Sequence, residues 1–354
     1  MKFDRKLIWH EHIKYLADAC NKRLNVLRSI QNQNWGADRA SIIMLYEAFI
    51  RAKLDYGCHL YDSAAKTVKN KLNTIQNTAL RLALGALKNT KIKILETEAN
   101  VPPLQLHRDY HSINYGAKII SDIRHPTRPC LINHNEYQYS NNKPYGRRLF
   151  EMGQKYRTDL TKVDNRCDFS IPPWVKPHFN LDLSIHNGEK DNTPIEILHA
   201  KSLETIHKYR NTENYYTDGS VHGKKTGIGV FHKSYSECIR LPDDTTIYTA
   251  EAYALLRALR HGLQNKKYLT IFTDSLSCLV AIKHYQTEHT IITRILNILH
   301  HSSLNINLCW IPSHCNVLGN EQADRIAKRS LNLADITDIN IPRKEYMKQV
   351  IVMC

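Results

Sequence analysis

The sequence predicts an α/β protein in which a mixed sheet flanked by helices follows a mostly α-helical region. Two observations lead to this prediction. Apolar residues recur with a period near 3.6 over residues 1–125, which is typical of amphipathic helices. From residue 213 onward, three strand patterns separated by turn residues are followed by helix and strand patterns in alternation. That order is typical of a sheet covered by helices.

The N-terminal region contains four predicted helices. Their expected ranges are 12–30, Arg39 to about Lys53, 66–86, and about Pro103 to Ser121. Asp38 is placed to cap the second helix at its N-terminus, because a short acidic side chain there can accept from free backbone N–H groups. Gly85 is placed to end the third helix, because glycine adopts the left-handed conformation of a helix C-cap without strain.

Residues 126–212 have a different composition from the rest of the chain. Seven prolines and many asparagines fall here, with few periodic stretches, so a loosely packed connector with a short helix near 195–209 is expected. The predicted organisation is therefore a helical segment (1–125), a connector (126–212), a mixed-sheet domain (213–332) and a C-terminal tail (333–354).

The mixed-sheet domain is predicted from five strand patterns and four helix patterns. We expect the first three strands to pair antiparallel, with turns around Gly223 and after Asp218, in the run Asp218-Gly219-Ser220. The predicted strands are Tyr215–Asp218, Gly227–His232, Ser236–Leu241, Tyr268–Thr273 and Asn305–Ile311, and the predicted helices are Ala250–Gly262, 275–284, 288–301 and Asn320–Ser330.

The charge of the chain favours a polyanionic partner. The net charge is +15 and the sequence pI is about 9.3. Residues 1–210 carry 33 Lys/Arg against 21 Asp/Glu, whereas residues 211–354 carry 16 against 13, so the first half is the expected site of nucleic-acid binding. No run of eighteen apolar residues and no apolar segment near the start is present, so we expect an intracellular protein without a membrane partner. Nuclear or cytoplasmic residence and oligomeric state stay open.

The nine cysteines indicate free thiols in a reducing compartment. Their number is odd and no CxxC pair occurs. Cys309, His314 and Cys315 lie close together in the sequence but lack a second ligand pair, which argues against a zinc site there.

Four acidic residues occupy the ends or starts of predicted elements. Asp218 and Asp274 each lie at the end of a predicted strand, and Glu251 and Asp324 lie in the first turns of helices. Such positions can converge on one site in an open mixed sheet. Four carboxylates in one pocket need cations, and Mg²⁺ prefers oxygen ligands. Two ions can hold the attacking and leaving oxygens of a phosphodiester.

His314, in the loop before Asp324, is a candidate general acid/base. Each of these residues taken alone has an ordinary structural explanation, such as a turn, a helix cap or a solvated surface position.

Segment 214–330 resembles the ribonuclease H domain of the type 1 fold. The resemblance rests most specifically on a W-x-P-x-H pattern followed by G-N-E-x-A-D. It implies metal-ligand roles for Asp218, which would bridge two ions, and for Glu251, Asp274 and Asp324, with an accessory role for His314. The matching stretches are YYTDGS (215–220), TAEAYALLRAL (249–259), IFTDSLSCLVAI (271–282) and CWIPSHCNVLGNEQADRIAK (309–328).

The resemblance also implies a reaction, cofactors and a substrate. The reaction is endonucleolytic hydrolysis of the RNA strand of RNA–DNA hybrids by a two-metal mechanism, with two Mg²⁺ ions and Mn²⁺ as an alternative. An integrase or transposase of the same superfamily is disfavoured by the GNEQAD stretch together with His314. The family often has glycine where this chain has Asn316, and asparagine tolerates the left-handed conformation better than most residues.

Further stretches resemble non-LTR retrotransposon polyproteins. RLPDDTTIYTAEAYAL (240–255) is similar to their ribonuclease H domains, and YEAFIRAKLDYGCHLYDSAAK (46–66) and LNTIQNTALRLALGA (72–86) are similar to the thumb-like segment after the polymerase palm in jockey-like reverse transcriptases. This second resemblance covers about residues 1–125. No Y/F-x-D-D polymerase box occurs, so DNA synthesis by this chain alone is not expected.

Contacts with nucleic acid are predicted in both halves of the chain. Main-chain groups at Gly219 and Ser220 are placed to meet the 2′-hydroxyl that distinguishes RNA from DNA. The basic residues Lys66, Lys69, Lys71 and Arg81 are the expected grip on the backbone, with a solvated helix face as the alternative. Two other functions stay open: a catalytically silent nucleic-acid-binding remnant of a retroelement, and a metal-sensing or structural protein that uses the same carboxylates.

Overall fold

The computed structural model divides the chain into two compact units. The N-terminal unit consists of Met1–Leu160 with Val350–Cys354, and the sheet unit consists of Thr161–Gln349. The residues that the structure describes are 1–31, 36–133, 143–169, 172, 174–175, 179–186, 193–264, 268–285 and 288–353.

The described part of the N-terminal unit is α-helical apart from its turns and loops. A π-helical stretch, Tyr46–Arg51, connects the helices Arg39–Leu45 and Ala52–Asp55. The α-helices are α1 (His10–Ile30), α2 (Arg39–Leu45), α3 (Ala52–Asp55), α4 (Cys58–Tyr61), α5 (Lys66–Leu84), α6 (Ile92–Ala99), α7 (Leu104–Ser121), α8 (Arg128–Ile132) and α9 (Tyr145–Tyr156).

Both predicted caps are present in this unit. The Asp38 side chain accepts a hydrogen bond from the Ser41 backbone N–H at the start of α2. Gly85 ends α5 with a φ of 61°, in the left-handed region that a side chain would strain. Helices α1 and α5 pack against each other through their apolar stripes, and Leu24 and Leu72 are among the fully buried core side chains.

The sheet unit contains six strands in the order β1-β6-β5-β2-β3-β4. Its strands are β1 (Phe179–Asp182), β2 (Glu213–His222), β3 (Lys225–His232), β4 (Tyr235–Leu241), β5 (Leu269–Thr273) and β6 (Ile306–Trp310). Its helices are α10 (Ile195–Lys208), α11 (Ile247–Gln264), α12 (Leu276–Lys283), α13 (Thr290–His301), α14 (Leu318–Ser330) and α15 (Arg343–Met353), the last of which extends into Val350–Cys354.

The pairing directions confirm the predicted mixed sheet. Strands β2, β3 and β4 form antiparallel hairpins, the first of which turns at Gly223 with a φ of 60°. Strands β1, β6, β5 and β2 run parallel to one another. All five residues of β5 are buried, as expected for a central parallel strand covered by helices. The fold is therefore the predicted one, a mixed sheet flanked by helices after a mostly helical N-terminal part.

The run Asp218-Gly219-Ser220 is not a turn, contrary to the sequence prediction. Strand β2 continues to His222, because Ser220, Val221 and His222 pair with the first residues of β3. The turn falls at Gly223 instead, which places Asp218 in the interior of the strand.

The predicted connector holds more regular structure than its composition indicates. It contains α8, α9 and the edge strand β1 besides the expected helix, which is α10. Within the sheet unit, the connector residue Asp164 is buried, and its carboxylate accepts from the Thr290 hydroxyl and from the Arg294 guanidinium, both at 2.5 Å. The C-terminal tail forms α15.

No helix in the described ranges combines the length and the apolar character needed to cross a bilayer.

Candidate active site

Asp218 and Asp274 lie at the same level of two neighbouring strands. Thr217 of β2 and Thr273 of β5 are partners in the parallel ladder, so the residue that follows each of them is an aspartate at the same edge of the pair. Asp218 is only 9% exposed. The backbone carbonyl of Asp274 accepts from the Trp310 indole N–H at 3.1 Å, which ties the end of β5 to the end of β6.

Glu251 is brought to this edge by α11, which packs against β2. The helix begins at Ile247, so Glu251 lies in its second turn rather than its first. Gly219 permits the close approach, because a Cβ atom there would lie 3.0 Å from the Glu251 backbone nitrogen. The Ser275 hydroxyl donates a short hydrogen bond to Glu251 Oε2 and so orients the carboxylate.

Asp324 is presented by α14, which packs against β2 and β3. Gly229, the ladder partner of Asp218, has no room for a Cβ atom, which would lie 2.2 Å from the Ala323 carbonyl oxygen. The residue after Ala323 is Asp324, so this helix contact places it beside the central strands. Lys328 Nζ lies 2.7 Å from Asp324 Oδ2 and partly balances its charge.

The four carboxylates act on one another electrostatically. Burial raises the pKa of Asp218 to about 8, and the negative charges of Asp274, Asp324 and Glu251 add to this effect. Burial also raises the pKa of Glu251, with a further contribution from Asp274 and opposition from the Ser275 hydrogen bond. Bound cations would relieve this repulsion, and carboxylate oxygens are the ligands that Mg²⁺ prefers. The residues present therefore fit a divalent-metal site.

The four carboxylates are farther apart than the ligands of a bound metal ion. Within the described ranges, no three of these carboxylates bring ligand oxygens within 4.8 Å of one another. A different group, Asp55 with His107 and His111 in the N-terminal unit, does reach that spacing.

His314 is exposed, in a loop between β6 and α14 whose other residues are mostly buried. Its backbone φ is 56°, and that of Asn316 is 57°, so two non-glycine residues adopt the left-handed conformation here. The sequence indicated that asparagine would tolerate this conformation at position 316. The loop is fixed at Cys315, whose carbonyl oxygen lies 2.7 Å from His199 Nδ1 of α10.

The predicted nucleic-acid contacts have mixed outcomes. Gly219 and Ser220 are half-buried in β2, and Lys66 and Lys71 are exposed on α5. The prediction for Lys69 is wrong, because its ammonium is buried and contacts Asp62 Oδ1 at 2.9 Å and the Asp62 carbonyl at 2.7 Å. Arg81 is half-buried and donates to the Asn77 and Thr90 carbonyls, both at 3.3 Å.

Three supporting residues were missed at the sequence level. Ser275 directly follows Asp274, and Trp310 opens the W-x-P-x-H pattern, so their proximity to site residues was a usable signal. His199 lies in the segment assigned to the connector and gave no signal, because its partner is 116 positions away.

Residues 210–332 match the protein-family model described as RNase H. These residues form an RNase H domain. The match covers β2 through α14 and includes all four carboxylates and His314, which supports a ribonuclease H hydrolase acting on RNA–DNA hybrids in general.

Two solved structures are similar to this chain over about a third of its length. One is LC11-RNase H1, isolated from compost by a metagenomic approach, with 22% identity, 34% of this chain and 96% of that chain covered, and a TM-score of 0.30. The other is a foamy viral protease-reverse transcriptase in complex with dsDNA, with 20% identity, 34% of this chain and 95% of that chain covered, and a TM-score of 0.32.

Proposed function

We propose that the RNase H domain hydrolyses the RNA strand of RNA–DNA hybrids by a two-metal mechanism. The observation that carries the proposal is geometric: Asp218 and Asp274 follow paired residues of β2 and β5, and α11 and α14 present Glu251 and Asp324 beside these strands, in a region that matches the RNase H family. In this proposal the four carboxylates hold two Mg²⁺ ions, or Mn²⁺ in their place. When bound, such ions supply Lewis-acid stabilisation of the attacking and leaving oxygens of a phosphodiester.

The chain's own residues set the geometry for this chemistry. The Ser275 hydroxyl fixes one rotamer of Glu251, and burial of Asp218 in β2 keeps water from screening its charge. Lys328 holds Asp324 until the site is loaded. His314, exposed on its tethered loop, is placed in this proposal to deliver a proton to the leaving 3′ oxygen.

Recognition of the hybrid is proposed to begin at β2. Gly219 packs closely against α11, which places its main chain beside Glu251. Ser220 follows on the same strand and is half-buried. Contacts at these residues with the 2′-hydroxyl would select RNA over DNA, since this group is the local difference between the two polymers.

The decisive test is cleavage of a labelled RNA–DNA hybrid by the purified chain in Mg²⁺. We expect Asp274→Asn to reduce the cleavage rate by roughly 1000-fold or more, because several kcal/mol of transition-state stabilisation depend on the metal site. Hybrid binding by this variant should persist. Asp335→Asn, at an exposed carboxylate in the tail, is the matched control and should cleave normally.

Two results would change the assignment. Unchanged cleavage by Asp274→Asn would contradict the proposed site. Hybrid binding by the unmodified chain without any cleavage in Mg²⁺ or Mn²⁺ would favour the silent remnant.

We further propose that the chain derives from the polyprotein of a jockey-like non-LTR retrotransposon, with residues 1–125 as a thumb-like segment. The helical character of the described part of the N-terminal unit supports this proposal, together with the stretches at 46–66 and 72–86. In a primer-extension assay on an RNA template, this chain should add no nucleotides. Primer extension would contradict the expectation that the chain lacks a polymerase active site.

A further inference from the structure

A second cluster of ligand-type side chains lies in the N-terminal unit, outside the RNase H domain. Asp55 ends α3, and His107 and His111 lie one turn apart on α7. Asp55 Oδ2 is 3.5 Å from His107 Nε2 and 3.6 Å from His111 Nε2. One ligand atom from each residue can be chosen so that all three lie within 4.8 Å of one another.

We propose that Asp55, His107 and His111 bind one borderline transition-metal dication of the Zn²⁺ class. Two imidazoles and one carboxylate are a donor set that such ions accept, with a further position left for water. Ligand atoms about 2.0–2.1 Å from a tetrahedral ion lie roughly 3.3 Å from one another. The observed oxygen–nitrogen separations of 3.5 and 3.6 Å are close to that value.

These separations are too long for hydrogen bonds, which rarely exceed about 3.2 Å between nitrogen and oxygen. The buried His111 Nε2 atom has no hydrogen-bond partner among the described residues, although it lies near the Asp55 carboxylate. A buried polar atom without a partner costs free energy that a bound ion would recover. The His111 imidazole therefore lies near the Asp55 carboxylate without forming a hydrogen bond to it.

The backbone brings the two histidines to the same side of α7. Residues four positions apart lie on one helix face, and the two rings stack with their centroids 4.5 Å apart. The side chains of Asp55 and His107 are 19% and 18% exposed, and that of His111 is 34% exposed. All three side chains are thus at least partly shielded from water, and the ligand atom of His111 is itself buried.

The arginines near Asp55 form ion pairs with other carboxylates. Arg51 pairs with Glu47 at 3.2 Å, and Arg108 Nε lies 3.3 Å from Asp62 Oδ1. In the part of the chain that the structure describes, the ion-pair partners of Asp55 are the two imidazoles alone. The negative charge of Asp55 is therefore available to a metal.

A bound ion would join α3 to α7 and close a long loop of chain. Metal binding to the folded form alone contributes directly to folding stability. This site is independent of the proposed function, because imidazole nitrogen selects Zn²⁺-class ions over Mg²⁺.

The test measures Zn²⁺ binding to the full chain by calorimetry after treatment with a chelator, in millimolar Mg²⁺. We expect one tight Zn²⁺ that the double variant His107→Ala/His111→Ala lacks. This variant keeps all cysteines and all RNase H carboxylates, so background binding to those groups cancels. The control is His10→Ala/His284→Ala, at two exposed histidines, which should bind as the unmodified chain does.

Two further measurements cover the case in which the double variant fails to fold. Asp55→Asn keeps the side-chain shape and should bind Zn²⁺ roughly 100-fold more weakly, since one of a few ligands is weakened. Co²⁺ substitution should give visible absorption bands in the unmodified chain that Asp55→Asn alters. Equal Zn²⁺ affinity in the unmodified chain and in Asp55→Asn, with identical Co²⁺ spectra, would overturn the proposal whatever the outcome of the hybrid-cleavage assay.

Discussion

The carboxylates of the RNase H domain are supported by different neighbours. Glu251 depends on the Ser275 hydroxyl, Asp324 contacts Lys328, and Asp218 is embedded in the central strand. Because Ser275 and Lys328 contact different carboxylates, each can be replaced without directly disturbing the contact of the other. Single substitutions at the supporting residues should therefore show which carboxylate limits the reaction.

His289 should contribute to the loss of folding stability at acid pH. Burial lowers the pKa of this imidazole from 6.5 to about 4, and its Nε2 lies 3.1 Å from the Thr249 hydroxyl. Between pH 6.5 and 4 the unfolded chain binds the proton more readily, so the contribution of His289 is present above pH 6.5 and is lost as the pH falls. The loss is at most about 3 kcal/mol.

This prediction is checked by urea unfolding of the full chain and of His289→Gln at several pH values. The glutamine keeps a polar group near Thr249 but does not titrate. The unmodified chain should lose more stability than the variant between pH 6.5 and 4. Parallel curves for the two proteins would show that His289 does not titrate in this way.

At the scale of elements, α11 connects the tail to the site. Glu345 of α15 is buried and accepts short hydrogen bonds from the Thr246 backbone N–H and the Thr249 hydroxyl at the start of α11. Glu251 follows two residues later. The carboxylate thus satisfies otherwise unbonded groups in the first turn of the helix that presents Glu251.

Replacing Glu345 with alanine should therefore affect both stability and cleavage. We expect a loss of about 1–3 kcal/mol in the free energy of unfolding, because two buried donors lose a charged acceptor. The cleavage rate should fall as Glu251 loses its fixed position. Glu288→Ala is the control, since that carboxylate is exposed and its pairing with Lys344 contributes little. Equal effects of the two substitutions would refute a positioning role for Glu345.

The elements differ in how far the sequence could predict them. Strands β3 to β6 and helices α11 to α14 have clear apolar periods, and their predicted ranges fall within a few residues of the observed ones. Asp218-Gly219-Ser220 resembles a turn locally, and only its pairing with β3 keeps it extended. Strand β1 has four residues, and its place is set by the parallel ladder with β6.

Some side chains differ from the sequence prediction because their partners could not be predicted from neighbouring residues. Lys69 lies between the exposed Lys66 and Lys71 in the sequence, but it is buried and pairs with Asp62. The link between Glu345 and Thr246 spans 99 positions, so nothing local in the sequence indicates it. The sequence motifs predict the four carboxylates as site residues, whereas the contact of Glu251 with Ser275 joins positions 24 apart and is set by the packing of the sheet unit.

At the scale of the whole molecule, the excess of positive charge lies in the first 210 residues. Lys66 and Lys71 remain exposed on α5, unlike Lys69. If they contact phosphates, Lys66→Ala/Lys71→Ala should weaken hybrid binding and lower the slope of log affinity against log salt by roughly one per lysine. Cleavage at saturating hybrid should stay the same.

The control for this prediction removes the same charge elsewhere. Lys14→Ala/Lys22→Ala lies on α1 at two exposed positions and should leave the salt slope close to that of the unmodified chain. Equal slopes for both double variants would indicate that α5 is only a solvated face.

The pairing of β1 with β6 has a practical consequence for anyone who isolates the enzyme core. A fragment cut at residues 210 and 332 would lack Phe179–Asp182, and the side of β6 that pairs with them, from Ile306 to Cys309, would lose its partner strand. An uncovered strand of this kind recruits other chains. We expect such a fragment to self-associate where the longer polypeptide does not, which light scattering would reveal.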